Sequence, residues 1–247
     1  MANSDSIKIG HIEALFRYPV KSMAGAPLDT ATLGWHGFEC DRRLALHRVG
    51  NHTGMPWLTA SRLPDLLLYT PLWRDAQSEI PTHVRTPDGR ELPIFGDELA
   101  ADIERRHGAP VQMMRLRHGI FDETPVSVIA VDTINEISRL AGVKPDVRRF
   151  RPNILVRLLN LGAFQEDEWL GGTLSFGEGD DAPTISVAMR DERCATVNLD
   201  PDSANSAPEV MKAAVRLNQN NAGIYATVAR TGRLAIGQQI YFHSAII

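Results

Sequence analysis

The residues best suited to chemistry in this chain are two lone cysteines and three short basic segments, each lying where an apolar run ends. In MRDERCATVNLDPDSA, an apolar run leads into Arg193-Cys194 and then into the turn signal Asp200-Pro201-Asp202. An arginine next to a loop thiol favours the thiolate, the form that ligates soft metals or acts as a nucleophile. From composition alone a small buried cysteine without chemistry is the better reading, because free cysteine packs as a small hydrophobe. Cys40 sits between Glu39 and Asp41, has less reason to ionise, and is expected to pack. Two cysteines form neither a disulfide framework nor a CxxC metal site.

The basic segments are suited to an anion. RYPVKSMAG places Lys21 and Ser22 after a strand-like run and before Gly25, so a cation and a hydroxyl emerge on one loop. CDRRLAL sets Arg42 and Arg43 at the start of the next strand, where period-two alternation sends one side chain inward. RRFRPNILV offers Arg148, Arg149, Arg151 and Asn153 around a proline, just before a strand-like run over 154–159. Guanidinium groups bind phosphate or carboxylate bidentately, so convergence of these segments would make an anion cradle. Taken singly, each is better read as a solvated rim. Markers of other chemistries are missing: there is no phosphate-binding Gly-Lys loop, no dinucleotide glycine pattern, no His-Glu-x-x-His and no Gly-x-Ser-x-Gly. The eight histidines are scattered without zinc-ligand spacing and are expected to be structural or superficial.

The elements that must position these residues alternate short apolar runs with turns. IEALFRYPV, ATLGWHGFECDRRLALHRV, LLLYTPLW and HVRTPDGRELPIF make the first part mostly β, with Pro87-Asp88-Gly89 as a hairpin turn. Three helices are written between strands. One is capped by Asp97 and ends at Gly108; one has a capping box at Thr133 and Glu136 and stops at Gly142; one has a box at Ser206 and Glu209. NILVRLL, TLSFG, TISVAM, GIYATV and QQIYF read as strands, so the expected class is α+β, β-rich and barrel-like. At 247 residues the chain can bury a full-sized core in one large domain or two packed ones.

A formal charge of −4 argues against a general nucleic-acid surface. No apolar run is long enough for a membrane helix, and MANSDSIKIG lacks the features of a signal peptide, so the expected compartment is the cytoplasm.

In order and spacing, YPVKS, DRR, FRPN and RC followed by DPD resemble the MOSC proteins that carry an N-terminal MOSC β-barrel, including the mitochondrial amidoxime reducing component and its bacterial relatives. The resemblance spans residues 9–242. It implies an N-terminal MOSC β-barrel domain over 7–97 packed on a MOSC domain over 98–247, itself a β-barrel with a few helices, with a pterin molybdenum cofactor between them. Carried over by position, Cys194 becomes the molybdenum ligand and catalytic centre, while Lys21, Ser22, Arg42, Arg151 and Asn153 become contacts to the cofactor's phosphate and pterin. Ala130 stands where the amidoxime-reducing relatives carry serine, with Ser127 and Thr133 the hydroxyls that could compensate.

The implied reaction is two-electron removal of oxygen from an N-hydroxylated or N-oxygenated small molecule, with the cofactor doing the redox chemistry. Two cysteines cannot ligate an iron–sulfur cluster, so electrons are expected from a separate donor protein of the flavin reductase or ferredoxin type. Asp200 and Asp202 are candidate proton carriers, although a turn role fits them better. Two other readings stay open: a sulfur carrier holding a persulfide on Cys194, and a non-catalytic binding module in which Cys194 is buried.

Overall fold

The computed structural model describes residues 6–244. The first half contains β1 (Ser6–Arg17), β2 (Ala26–Leu28), β3 (Thr30–Gly34), β4 (Gly37–Phe38), β5 (Leu44–Arg48), β6 (Thr70–Leu72), β7 (His83–Arg85), β8 (Glu91–Pro93), α1 (Asp97–His107) and β9 (Val111–Arg115). The second contains β10 (Val126–Ala130), α2 (Val131–Ala141), β11 (Ile154–Leu158), β12 (Thr173–Phe176), β13 (Thr184–Glu192), α3 (Glu209–Asn218), β14 (Asn221–Arg230), β15 (Gly232–Ala235) and β16 (Gln239–His243).

Alternating apolar side chains close the second half into a barrel. The strands run β11-β10-β14-β13-β12-β16-β1, and β1 then pairs with β11, giving a closed seven-stranded barrel with β2 attached to β1. Every neighbouring pair is antiparallel except β10 and β11, which are parallel. A parallel pair needs a crossover of a dozen or more residues, and α2 supplies it. Inside lie Ile12, Leu15, Val128, Val156, Leu174, Ile185, Ile224 and Ile240, all fully buried. Helices α2 and α3 pack outside, with Ile134, Ile137, Val210 and Ala214 against Ile129 and Phe150.

A second unit is built from residues 18–24 and 44–115, while β2, β3 and β4 stay with the barrel, whose core includes Ala31, Leu33 and Phe38. The second unit's core joins Val20, Met23, Leu44, Leu46, Leu66, Val84 and Ile103, supported by the β5–β9 ribbon, the β6-β7-β8 sheet and α1. The hairpin at Pro87-Asp88-Gly89 forms as expected, with Gly89 at φ +87°. The expected α+β, barrel-like class is the class that forms. Residue 97, the expected boundary, is the first residue of α1, while β1, far upstream of it, lies in the same sheet as β16.

The helix bodies and the stops of α1 and α2 match the sequence reading, but the starts do not. No side chain caps α1, whose N-cap is Gly96 with Asp97 already in the first turn. Neither capping box forms. At α2 the N-cap is Ala130, whose N–H donates to buried Glu166 at 3.2 Å, and Thr133 accepts instead from the Phe164 N–H at 2.8 Å. At α3 the N-cap is Pro208, and Asn198 accepts from the Met211 N–H at 2.9 Å. Caps delivered by distant segments leave no local spacing to read. Pro64, two residues before LLLYTPLW, opens a short 3-10 turn over Pro64–Leu68 that takes up the first three leucines, so only the later part of that run, Thr70–Leu72, is strand.

Candidate functional site

A cleft of about 370 Å³ lies between the two units and brings together Lys21, Ser22, Arg42, Arg151 and Cys194. Its size suits a cofactor-sized ligand. Lys21 and Ser22 leave the Val20–Leu44 bridge, Arg42 precedes β5, Arg151 precedes β11, and Cys194 follows β13. Three of these residues hold left-handed backbone: Ser22 at φ +68°, Arg42 at +47° and Arg151 at +53°. Each such position costs a non-glycine residue about 1–2 kcal/mol, and strain of this kind concentrates at ligand sites.

Arg42 is a structural hub as well as a wall. Its Nη2 donates to the Arg151 carbonyl at 2.8 Å and its Nε meets Asp122 at 2.7 Å. Nη1 reaches both Asp41 and, at 3.3 Å, Asn153 Oδ1. Burial works against the Arg42 charge, but Asp41 and Asp122 outweigh it and push its pKa up. Asn153 is fully buried behind the cleft: Oδ1 also accepts from the Ser127 N–H at 3.1 Å, and Nδ2 donates to the Phe16 carbonyl. It therefore positions Arg42 and does not itself line the cavity.

Arg151 differs from Arg42. Its guanidinium lies over the Tyr18 ring at 4.3 Å and, among the described residues, meets neither a carboxylate nor a hydrogen-bond acceptor. Burial lowers its pKa to about 10. Lys21 gives a hydrogen bond to the Phe121 carbonyl at 2.7 Å; burial lowers its pKa, while Asp122 and Cys194 act in the opposite direction. Arg151 is thus a guanidinium of this cleft left open to an anion, whereas Lys21 shares Asp122 with Arg42.

Cys194 is exposed and free at the mouth of the cleft. Sequence adjacency suggested that Arg193 supplies its neighbouring charge, and the structure corrects this. Arg193 turns inward, donating to the Ala222 carbonyl at 2.6 and 2.9 Å and the Phe150 carbonyl at 2.8 Å, and pairing with Asp191 at 3.0 Å. Lys21 lines the same cleft as the thiol, and the two act on each other through their charges. The loop after Cys194 is pinned from FRPN's flank: Arg149 holds the Asn198 carbonyl and Asp200 at 3.0 Å each, and Arg148 holds Asp202 at 2.6 Å. Asp200 accepts from the Asp202 and Ser203 N–H groups, so both aspartates serve the turn and neither lines the cleft.

Several cleft residues escaped the sequence reading. Asp122 closes on Arg42 and Lys21; burial raises its pKa but the two cations prevail and lower it overall. Buried Asp191 accepts from Ser127 Oγ at 3.0 Å, and burial outweighs Arg193 to bring its pKa up to about 6. Tyr225 lines the same wall, its pKa raised by burial and by Asp191. Each is a single acidic or aromatic residue in a strand or loop, and the cleft partners Arg42 and Lys21 of Asp122 and Ser127 of Asp191 lie far away in sequence. Of the hydroxyls near Ala130, Ser127 lines the cleft, whereas Thr133 is engaged by Phe164 elsewhere. Cys40 is buried, and burial pushes its thiol up to about 11. Among the described residues, no helix is long and apolar enough to cross a membrane.

Comparison with solved structures finds the YuaD protein from Bacillus subtilis at 15% identity and TM-score 0.51, covering 96% of this chain and 97% of that one. YiiM from Geobacillus stearothermophilus aligns at 15% identity and TM-score 0.38 over 48% of this chain and 53% of its own. A sequence search among curated proteins finds no match. The first similarity supports the fold alone. Family models are more specific: the MOSC N-terminal beta barrel domain matches residues 9–124 and the MOSC domain matches residues 100–241. With the four motifs gathered on one cleft at the junction of those two matches, the chain belongs to the MOSC domain family.

Proposed function

We propose that this chain binds a pterin molybdenum cofactor in the cleft, with Cys194 as the protein ligand of the metal, and reduces N-hydroxylated compounds with it. The observation that carries this reading is Arg151, a desolvated guanidinium with no anion among the described residues, in the wall of a cleft whose mouth holds an exposed thiol. Such a cation calls for an anionic ligand. The donor set also fits. Among the described residues no group of three or more His, Cys, Asp or Glu could hold a metal ion, so a metal at Cys194 must bring further donors with it, as a pterin-bound metal does.

In this reading Arg151, Lys21 and Ser22 hold the anionic tail, while Arg42, already neutralised by Asp41 and Asp122, keeps the wall in shape. When bound, the molybdenum cofactor supplies two-electron oxygen-atom transfer. Conversion of N–OH to N–H takes up protons, and Asp191 is a cleft carboxyl suited to deliver one. Its Oδ2 is occupied by Ser127 and Arg193, which leaves Oδ1 to carry the proton. Electrons would come from a separate donor protein.

The test is metal and pterin content of protein made in a host that synthesises the cofactor, with Cys194→Ala alongside. Near-stoichiometric molybdenum in the parent and none in the variant supports the assignment, and N-hydroxylated substrates can then be assayed with an artificial donor. Molybdenum retained by Cys194→Ala would remove Cys194 as ligand. A parent with no metal but a labile sulfur on Cys194 would favour the sulfur-carrier reading, which the exposure of that thiol also permits.

A further inference from the structure

A second cavity, of about 330 Å³, lies at the end of the β5–β9 ribbon, beyond the Arg42-Arg43 peptide from the cleft described above. Arg42 serves the first cavity and its neighbour Arg43 the second. Four guanidiniums line it, from Arg17, Arg43, Arg115 and Arg117, against two carboxylates, Glu39 and Glu79. They converge closely enough that Arg17, Arg43 and Arg115 all act on the buried Cys40 thiol in its wall.

Most of this charge is unanswered. Arg115 pairs with Glu79 at 3.1 Å, but Glu79 is 86% exposed and solvent weakens the pair. Arg43 gives one N–H to the Arg117 carbonyl and, like Arg17 and Arg117, meets no carboxylate among the described residues. Arg17 stacks on Trp73 at 4.5 Å, and its Nε is buried without an acceptor. A buried donor left unpaired is costly, and forked guanidiniums around a concavity match the oxygens of a phosphoryl group.

We propose that this cavity is a second anion site, taking a dianionic phosphate or pyrophosphate group, separate from the cofactor cleft. Four positive charges against two negative leave a surplus suited to a dianion. The site does not depend on the cofactor assignment, since no residue lines both cavities.

Calorimetric titration of the full chain with inorganic phosphate and pyrophosphate, in about 0.15 M salt, tests it. The parent should bind. Arg43→Gln with Arg117→Gln should weaken that binding at least tenfold, and Arg115→Gln with Arg117→Gln, both at exposed positions, should do the same should the first pair fold poorly. Lys21→Gln with Arg151→Gln should leave this binding in place. Absence of binding in the parent, or binding that survives both arginine pairs in folded protein, or binding lost only in the Lys21 and Arg151 variant, overturns the proposal.

Discussion

At Arg151 the backbone is left-handed and burial disfavours the charge, so the fold gains little from this side chain apart from its contact with Tyr18. Arg151→Ala is expected to change the unfolding free energy by no more than about 1 kcal/mol, while cofactor retention falls at least tenfold. Denaturant unfolding and pterin content on the same samples check both halves. Asp191 makes a pH prediction. Its folded pKa, about 6, lies above the ordinary carboxylate range, so the folded chain binds the extra proton between those values. That contribution stabilises the fold at low pH and is lost as pH rises to about 6. The stability of the parent minus that of Asp191→Asn should therefore fall between about pH 4 and 6 and level off above; a difference that grows with pH would refute the raised pKa. At this scale, Lys21, Ser22, Arg42, Arg151 and Cys194 were legible because a cation, hydroxyl or thiol at a strand end stands out locally. Arg193 was misread because adjacency in sequence does not say which way a side chain turns, and Asp191 and Tyr225 acquire meaning only when β13 and β14 pair.

Among the elements, the loop that presents Cys194 depends on Arg149. Its hold on Asn198 and Asp200 also fixes the Asn198 side chain that caps α3. Arg149→Ala should raise amide exchange at 195–203 and in the first turn of α3, with α2 unaffected. Exchange changes spread evenly over the barrel would argue against that local role. The seam between β1 and β11 makes a second prediction. A Cβ at Gly10 would lie 2.2 Å from the Arg157 carbonyl oxygen, backbone that cannot easily give way. Gly10→Ala should destabilise by about 1–3 kcal/mol in urea unfolding. Strand bodies were readable from their apolar runs, and helix stops from Gly108 and Gly142, both left-handed C-caps. Helix starts were not, since Glu166 and Asn198 arrive from other parts of the chain.

For the whole molecule, a barrel was foreseeable from the number of short apolar runs, but its closure was not. Nothing local in Ser6–Arg17 says that it pairs with both β11 and β16. The fragment 98–247 lacks that strand and leaves two open sheet edges, which favours association with other chains. It is expected to aggregate or bind hydrophobic dye when made alone, whereas the full chain should unfold in a single transition. A monomeric fragment with well-dispersed amide resonances would contradict this.

The same seam governs how the protein must be made. Ile7 is made about 235 residues before Phe242, yet the two lie side by side. At roughly 5–20 residues per second, β1 waits roughly ten to fifty seconds for β16. It can dock on β11 earlier, through Gly10 and Leu158, but its other edge stays open until β16 is made. Nascent chains of this protein should therefore be clients of ribosome-associated chaperones until β16 emerges, and slow codons shortly before β16 should lower the soluble yield more than the same codons placed ahead of β1.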